Sequence, residues 1–284
     1  MEFRGSFVPL VTPFDRKGRV DSHALERLIE WHIEEGSDGI IVCATTGEGP
    51  TLSALEKKKI TQIALQAASG HIPILLSTGT NDTRESVRNT AAALKLGAQG
   101  CLVVTPYYNK PSQEGCIAHF TEISKVGLPM ILYHNPPRAA VRLEAKTIRM
   151  LSENPTIVAI KESSHDLQLI RSIISDIAVF SGDDDLCFEI MQMGGVGSIA
   201  TTANLVPKGW RAMIHDCLQG NWETAYQSAQ TYLPLSRAIF SETNPQGVKY
   251  ALSLLGKCQS VLRLPMLEPV LATKQDIEQQ LLSL

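Results

Sequence analysis

Metal-ligand spacing is missing from this chain. Its six cysteines (43, 101, 116, 187, 217 and 258) include no Cys-x-x-Cys pair. Of seven histidines, only His134 stands at the end of an apolar run, and His165 lies a few residues beyond Lys161. The others (23, 32, 71, 119 and 215) fall on helical stretches or their ends. Two scattered histidines make a poor zinc or iron site, so no metal and no cofactor is expected. Apolar runs near the roughly 18 residues needed to cross a membrane are absent. Basic blocks are absent too; with a mixed charge distribution and a net charge of −3, neither a nucleic-acid nor a membrane partner is expected. The segment from Met1 to Phe14 carries Glu2 and Arg4 and has no apolar signal-peptide core. Cys43 and Cys101 sit in apolar runs, where a free thiol behaves as a small hydrophobe. Scattered unpaired thiols suit a reducing compartment, which makes the cytoplasm the expected location.

What the 284 residues do contain is a repeated strand–helix unit. Apolar runs recur at Phe7–Val11, Gly39–Cys43, Ile72–Leu76, Cys101–Val104, Pro129–Tyr133, Ile157–Ile160, Ala178–Phe180 and Ser198–Ala200. Continuous rather than alternating apolar runs read as parallel strands buried on both faces. Amphipathic stretches between them (Ser22–Glu35, Ser53–Ala68, Arg84–Leu96, Gln113–Lys125) read as helices. Asp21, Ser53 with Glu56, and Ser112 cap their starts; Gly36, Gly70, Gly97 and Gly127 mark their ends. This order predicts an α/β fold, a (β/α)₈ TIM barrel over residues 1–220 with a C-terminal helical extension over 221–284. A doubly wound sheet is disfavoured because no glycine fingerprint opens the first helix. No Gly/Ser-rich linker precedes Trp222–Phe240, Gln246–Leu255 and Lys274–Leu284, so the extension reads as a packed appendage.

In such barrels the chemistry sits at the C-terminal strand ends. There the chain places Thr12, Thr45-Thr46-Gly47-Glu48, Thr78-Gly79-Thr80-Asn81, Thr105-Pro106-Tyr107-Tyr108-Asn109 and Tyr133-His134-Asn135. Lys161-Glu162, Ser181-Gly182-Asp183-Asp184 and Thr201-Thr202-Ala203-Asn204 complete the set. Lys161 ends the run Ile157–Ile160, where desolvation disfavours an ammonium and favours the neutral amine that attacks carbonyls. Hydroxyls and amides around it suit a small carboxylate, and a tyrosine suits proton transfer as an imine forms and hydrolyses. Plainer readings stand beside these: a strand-end lysine reaching water, packing aromatics at Tyr107 and Tyr108, turn chemistry at Thr45-Thr46, and an acidic helix start at Asp183–Asp185. The loop after the eighth strand lacks glycines to surround a phosphate, which disfavours a phosphorylated substrate.

Several of these stretches resemble a known family. Ala44-Thr45-Thr46-Gly47-Glu48 is similar to the GTTGE motif of the dihydrodipicolinate synthase/N-acetylneuraminate lyase superfamily, and residues 105–115 resemble its TPYYNKPSQEG stretch. Ile160–Ser163, Ser181–Asp184 and Leu262–Met266 match further blocks, so the resemblance runs from Gly5 to beyond Pro265. It implies a class I aldolase-type lyase in which Lys161 forms a Schiff base with pyruvate. Tyr133 would move protons, linked through Thr45 to a Tyr108 that enters from the neighbouring subunit of a homotetramer built from tight dimers. Thr46, Ile199 and Gly182 would bind the pyruvate unit. Arg138 would hold the carboxylate of L-aspartate 4-semialdehyde, on the route to diaminopimelate and lysine. Asn81, Glu85 and Tyr107 resemble an effector site for lysine. Two histidine positions of that site read Ala54 and Lys57 here, so inhibition by lysine is expected to be weak or absent.

The pattern departs from the family in two places. Around Tyr133 the family reads YNVPxRT, whereas this chain has Tyr133-His134-Asn135-Pro136-Pro137-Arg138-Ala139, a stiffer loop with a histidine near the site. Ala44 replaces a glycine, tolerable if its φ stays negative. The alternative readings are a sister pyruvate-dependent lyase acting on a sugar acid and, in a different class, a metal-dependent lyase or a non-catalytic barrel.

Overall fold

All eight apolar runs form strands that close into one parallel barrel in sequence order, β1 to β8. The computed structural model describes residues 3–284. The strands are β1 Gly5–Pro9, β2 Gly39–Val42, β3 Ile74–Ser77 and β4 Gly100–Val104, then β5 Met130–His134, β6 Ile157–Glu162, β7 Val179–Ser181 and β8 Gly197–Ile199. Helices α1 Ser22–Glu34, α2 Ala54–Ala68, α3 Thr83–Leu96 and α4 Gln113–Ser124 follow the first four strands. After β5 come a one-turn helix, α5 Pro136–Ala139, and then α6 Ala145–Ser152. The remaining units carry α7 Leu167–Ile173, α8 Cys187–Gln192 and α9 Pro207–Gln219. The expected extension is α10 Trp222–Ile239, α11 Gln246–Leu254 and α12 Leu271–Leu282. Strand edges differ from expectation by one or two residues; β1 begins at Gly5 and releases Leu10 and Val11 because the sheet ends where β1 last pairs, Pro9 with Ile41.

The local signals act as their chemistry requires. Asp21 accepts from Ala24 N–H at the start of α1, and Ser53 with Glu56 forms a reciprocal capping box on α2. Gly97 ends α3 in the left-handed region at φ 95°. Inside the barrel, Phe3, Phe7 and Phe180 stack edge to face, with centroids 5.8 and 5.4 Å apart. Gly39 faces the Phe7 ring, and a Cβ there would overlap it.

One irregularity decides where Lys161 points. Met130 pairs with Ile157, but Ile131 pairs with Ala159, so Val158 is an extra residue in β6. Ile157 packs into the outer core, whereas Val158 and Ala159 both belong to the inner one. This bulge shifts the alternation by one and turns Lys161 inward beside Tyr133, its pairing partner. A regular strand would have sent Lys161 outward.

The extension shares the barrel's outer core through Leu235, Ile239, Val248, Leu252 and Ile277. It is also bolted to the loop after β2 by a buried ion pair. Glu48 sits in the left-handed region at φ 54°; its Oε1 lies 2.6 Å from Lys249 Nζ, and its Oε2 accepts from Arg263 N–H at 2.9 Å. Lys249 Nζ also donates to Val261 O at 2.6 Å and lies 4.0 Å from the Phe14 ring centroid. Burial pulls the Lys249 pKa below its ordinary value, and Glu48 pulls it back. Removing one partner strands a buried charge. Lys249→Met should therefore lower the unfolding free energy by about 3–5 kcal/mol. In denaturant melts the pair Lys249→Met, Glu48→Gln should lose less than the two single losses combined. A loss for Lys249→Met within about 0.5 kcal/mol of zero, typical of surface changes, would show that the pair anchors nothing.

Candidate active site

A cavity of about 420 Å³ opens at the C-terminal end of the barrel. Lys161, Tyr133, Thr45, Thr46, Arg138 and Gly182 line it, together with groups from the extension. Lys161 is 7% exposed, and its Nζ lies 4.6 Å from the Tyr133 ring centroid. No carboxylate of the described residues forms an ion pair with it. Gly182 makes room for the lysine: a Cβ there would lie 2.6 Å from Lys161 Cε and overlap Ser163 Oγ.

The departure after β5 aims two functional groups. Pro136 and Pro137 occupy the first positions of α5, where missing N–H groups cost nothing. Asn135 is the N-cap: its Oδ1 accepts from Arg138 N–H at 3.1 Å, while its Nδ2 donates to Tyr133 Oη at 2.9 Å. The tyrosine oxygen thus accepts from the amide and keeps its own proton to give. Arg138 reaches across to donate to Asn244 O at 3.2 Å. His134, expected near the site, faces the other way. It is fully buried between sheet and helices, with Nδ1 2.8 Å from Glu162 Oε2 and Nε2 accepting from Leu143 N–H at 2.9 Å. Strand alternation places Tyr133 inside and His134 outside, so the histidine braces the loop from behind the sheet.

The loop after β2 is rigid. Thr12 donates to Gly47 O at 2.6 Å, and Asn244 Nδ2 donates to Thr46 Oγ1 at 2.9 Å. Positive φ falls on Cys43 (59°) and not on Ala44, which keeps the alanine unstrained. The acidic run after β7 is more than a helix start. Asp184 accepts from Thr201 N–H and from both the N–H and hydroxyl of Thr202, joining the last two strand ends. Burial raises its pKa, and the Thr202 bonds oppose that.

Other expected residues stand apart. Ile199 is buried in the inner core and is not part of the cavity wall. Tyr108 is 87% exposed, in the left-handed region at φ 74°, and points away from its own chain's cavity. A second cavity of about 250 Å³ shares Thr45, Tyr133 and Arg138 and continues to Tyr107 and Lys57. Of the residues resembling an effector site, Tyr107 lines that second cavity, Glu85 pairs with Arg88, and Asn81 O accepts from Asn109. Asn244, Arg237, Ser236 and Phe240, all from the extension, border the main cavity without having been anticipated. Their sequence neighbourhood carries no strand-end signal; only the Asn244-Pro245 dipeptide marks a turn there.

The arrangement matches known proteins over its whole length. The model of the dihydrodipicolinate synthetase family matches residues 2–283. The chain belongs to that family. It is 43% identical to the 4-hydroxy-tetrahydrodipicolinate synthase of Thermodesulfovibrio yellowstonii, covering 99% of this chain and 98% of that one. Among solved structures, dihydrodipicolinate synthase from Aquifex aeolicus superposes with a TM-score of 0.96 at 39% identity, covering 98% and 97% of the two chains. The chloride-inhibited enzyme from Acinetobacter baumannii, solved with pyruvate, gives a TM-score of 0.97 at 37% identity, covering 99% and 98%. Within this family site, Gly182→Ala should press on the Lys161 stem and sharply reduce pyruvate-dependent borohydride labelling while the melting temperature moves by only a few degrees. Labelling at the unmodified rate would show that the lysine does not need that space.

Proposed function

We propose that this family member is a 4-hydroxy-tetrahydrodipicolinate synthase, condensing pyruvate, held as a Schiff base on Lys161, with L-aspartate 4-semialdehyde. A single observation carries the reading: a buried amine without a carboxylate partner lies beside a tyrosine whose oxygen is oriented by Asn135. Lys161 Nζ attacks the pyruvate carbonyl, and water leaves as the imine forms. Thr46 and the backbone of its loop hold the pyruvate carboxylate, with Gly182 bounding the pyruvate unit and Ile199 packed in the core behind it. Loss of a methyl proton gives the enamine, whose carbon adds to the aldehyde. Tyr133, with Thr45 beside it at the cavity wall, gives the aldehyde oxygen its proton. Arg138 binds the carboxylate of the aldehyde acid, which favours the synthase over a sugar-acid lyase. The names of the relatives favour the same branch.

Tyr108 supports an assembled enzyme. An exposed tyrosine with positive φ carries a backbone cost of order 1–3 kcal/mol, and the exposed Tyr107 next to it borders the second cavity. We read it as entering the cavity of a second copy, in a homotetramer built from dimers. Residues 1–220 then form the catalytic barrel, and 221–284 complete the cavity rim. No helix among the described residues is long and apolar enough to cross a membrane, and the free cysteines support a cytoplasmic location.

Borohydride with pyruvate should add one pyruvate-derived mass per chain, at Lys161. Arg138→Ala should keep that labelling while raising the aldehyde KM, a carboxylate partner of this kind contributing about 2–4 kcal/mol. Label on another lysine would overturn the mechanism, and robust sugar-acid cleavage would move the protein to the lyase branch. For the shared site, mixing Tyr108→Phe with Lys161→Ala subunits should recover activity, since one hybrid site keeps both groups. Proven mixed oligomers without recovery would mean that each site is built within one chain.

A further inference from the structure

The cavity holds a cluster that imine chemistry leaves unused. His165 follows β6 in the left-handed region at φ 54° and bridges two acids. Its Nδ1 lies 3.1 Å from Asp183 Oδ2 and its Nε2 3.3 Å from Asp185 Oδ1. The His165 N–H also donates to Asp183 Oδ2, at 3.0 Å. A neutral imidazole has one N–H, so facing a carboxylate from each nitrogen takes a second ring proton or a proton on an acid. Burial raises the Asp183 carboxyl to about 6 against the downward pull of the His165 charge and N–H.

Asp183 is 8% exposed and borders the cavity, and among the described residues no donor reaches its Oδ1. Asn244 Oδ1, on the same cavity, is buried without a partner. Open acceptors in a cavity call for a ligand that brings hydrogen-bond donors. The other charges nearby have their own places. Lys161 faces inward on β6, and Glu162 behind it is bonded to His134. Asp184 is taken up by Thr201 and Thr202, Arg138 of α5 holds Asn244 O, and Asp166 at the start of α7 pairs with Arg142. Arg237 of α10 borders the cavity and forms no ion pair among the described residues. His165 is thus the basic side chain in contact with Asp183.

We propose that His165 is a stand-in cation: it keeps Asp183 ionised in the empty site and yields that carboxylate to the ammonium group of the second substrate. The inference rests on the synthase reading, in which that substrate is an amino aldehyde acid whose carboxylate goes to Arg138. Two oppositely charged anchors, Arg138 and Asp183, then fix which way round the aldehyde enters. A sugar acid without a free amine gains no charge pairing from the second anchor, so the cluster is a specificity device.

The test compares the KM of the amino aldehyde with the inhibition constant of 4-oxobutanoate, the same molecule without its amine, across neutral to alkaline pH. His165→Asn suits the left-handed backbone, which asparagine tolerates. Removing a nearby cation raises a carboxyl pKa, so Asp183 would keep its proton near neutrality and lose it only at higher pH. The ratio of the two constants should rise on the order of tenfold near neutral pH and return towards the unmodified value as pH increases. Asp183→Asn should raise the ratio at every pH. An unchanged ratio, or both constants rising together, would overturn the role of His165 while leaving the synthase intact. A protein that pyruvate labels at Lys161 but that never turns over the amino aldehyde would sink the synthase reading itself.

Discussion

The register of β5 against β6 is the constraint on which the site depends. Tyr133 and Lys161 are paired residues on adjacent strands, and Lys161 joins the tyrosine inside only because Val158 bulges out of the ladder. The next residues along, His134 and Glu162, are paired as well and point outward, where they bond to each other. A single extra residue therefore matches Lys161 to Tyr133 in the cavity and Glu162 to His134 in the wall behind it. The barrel closes around that choice, since β6 also sets the position of Phe180 beside Lys161 and so of Gly182.

A second constraint comes from the far end of the chain. Glu48 is held in an unfavourable backbone conformation by Lys249 and the Arg263 N–H, and the Thr45–Glu48 turn is held with it. Asn244 reinforces the turn through Thr46 and accepts from Arg138. The loop and the arginine to which we assign the two substrate carboxylates are thus referenced to the same segment of the extension. Buried polar contacts of this kind gain little net energy but cost much when half broken, which makes the geometry of the turn close to all-or-none.

Much of this was legible from residues alone. Continuous apolar runs specified the eight strands because a parallel sheet is buried on both faces, and capping residues specified the helix starts because their side chains act within one turn. Strand-end chemistry pointed to Lys161, Tyr133 and Thr45 because the barrel topology gathers those ends at one face, whereas Arg138 was implied by the family resemblance. His134 was misplaced because adjacent residues of a strand go to opposite faces, and sequence adjacency hides that. Asn244, Arg237 and Phe240 were invisible because their approach is a matter of tertiary packing, about two hundred residues from Thr46 in the case of Asn244.

By itself, then, the chain determined its class, its repeating unit and the amine to which we assign the chemistry, since each follows from local burial and from topology. Only the tertiary structure decided which way Lys161 faces, what rigidifies the loop around Thr46, and that His165 lies between Asp183 and Asp185. Those depend on a one-residue register shift and on contacts between distant segments, which no local pattern encodes.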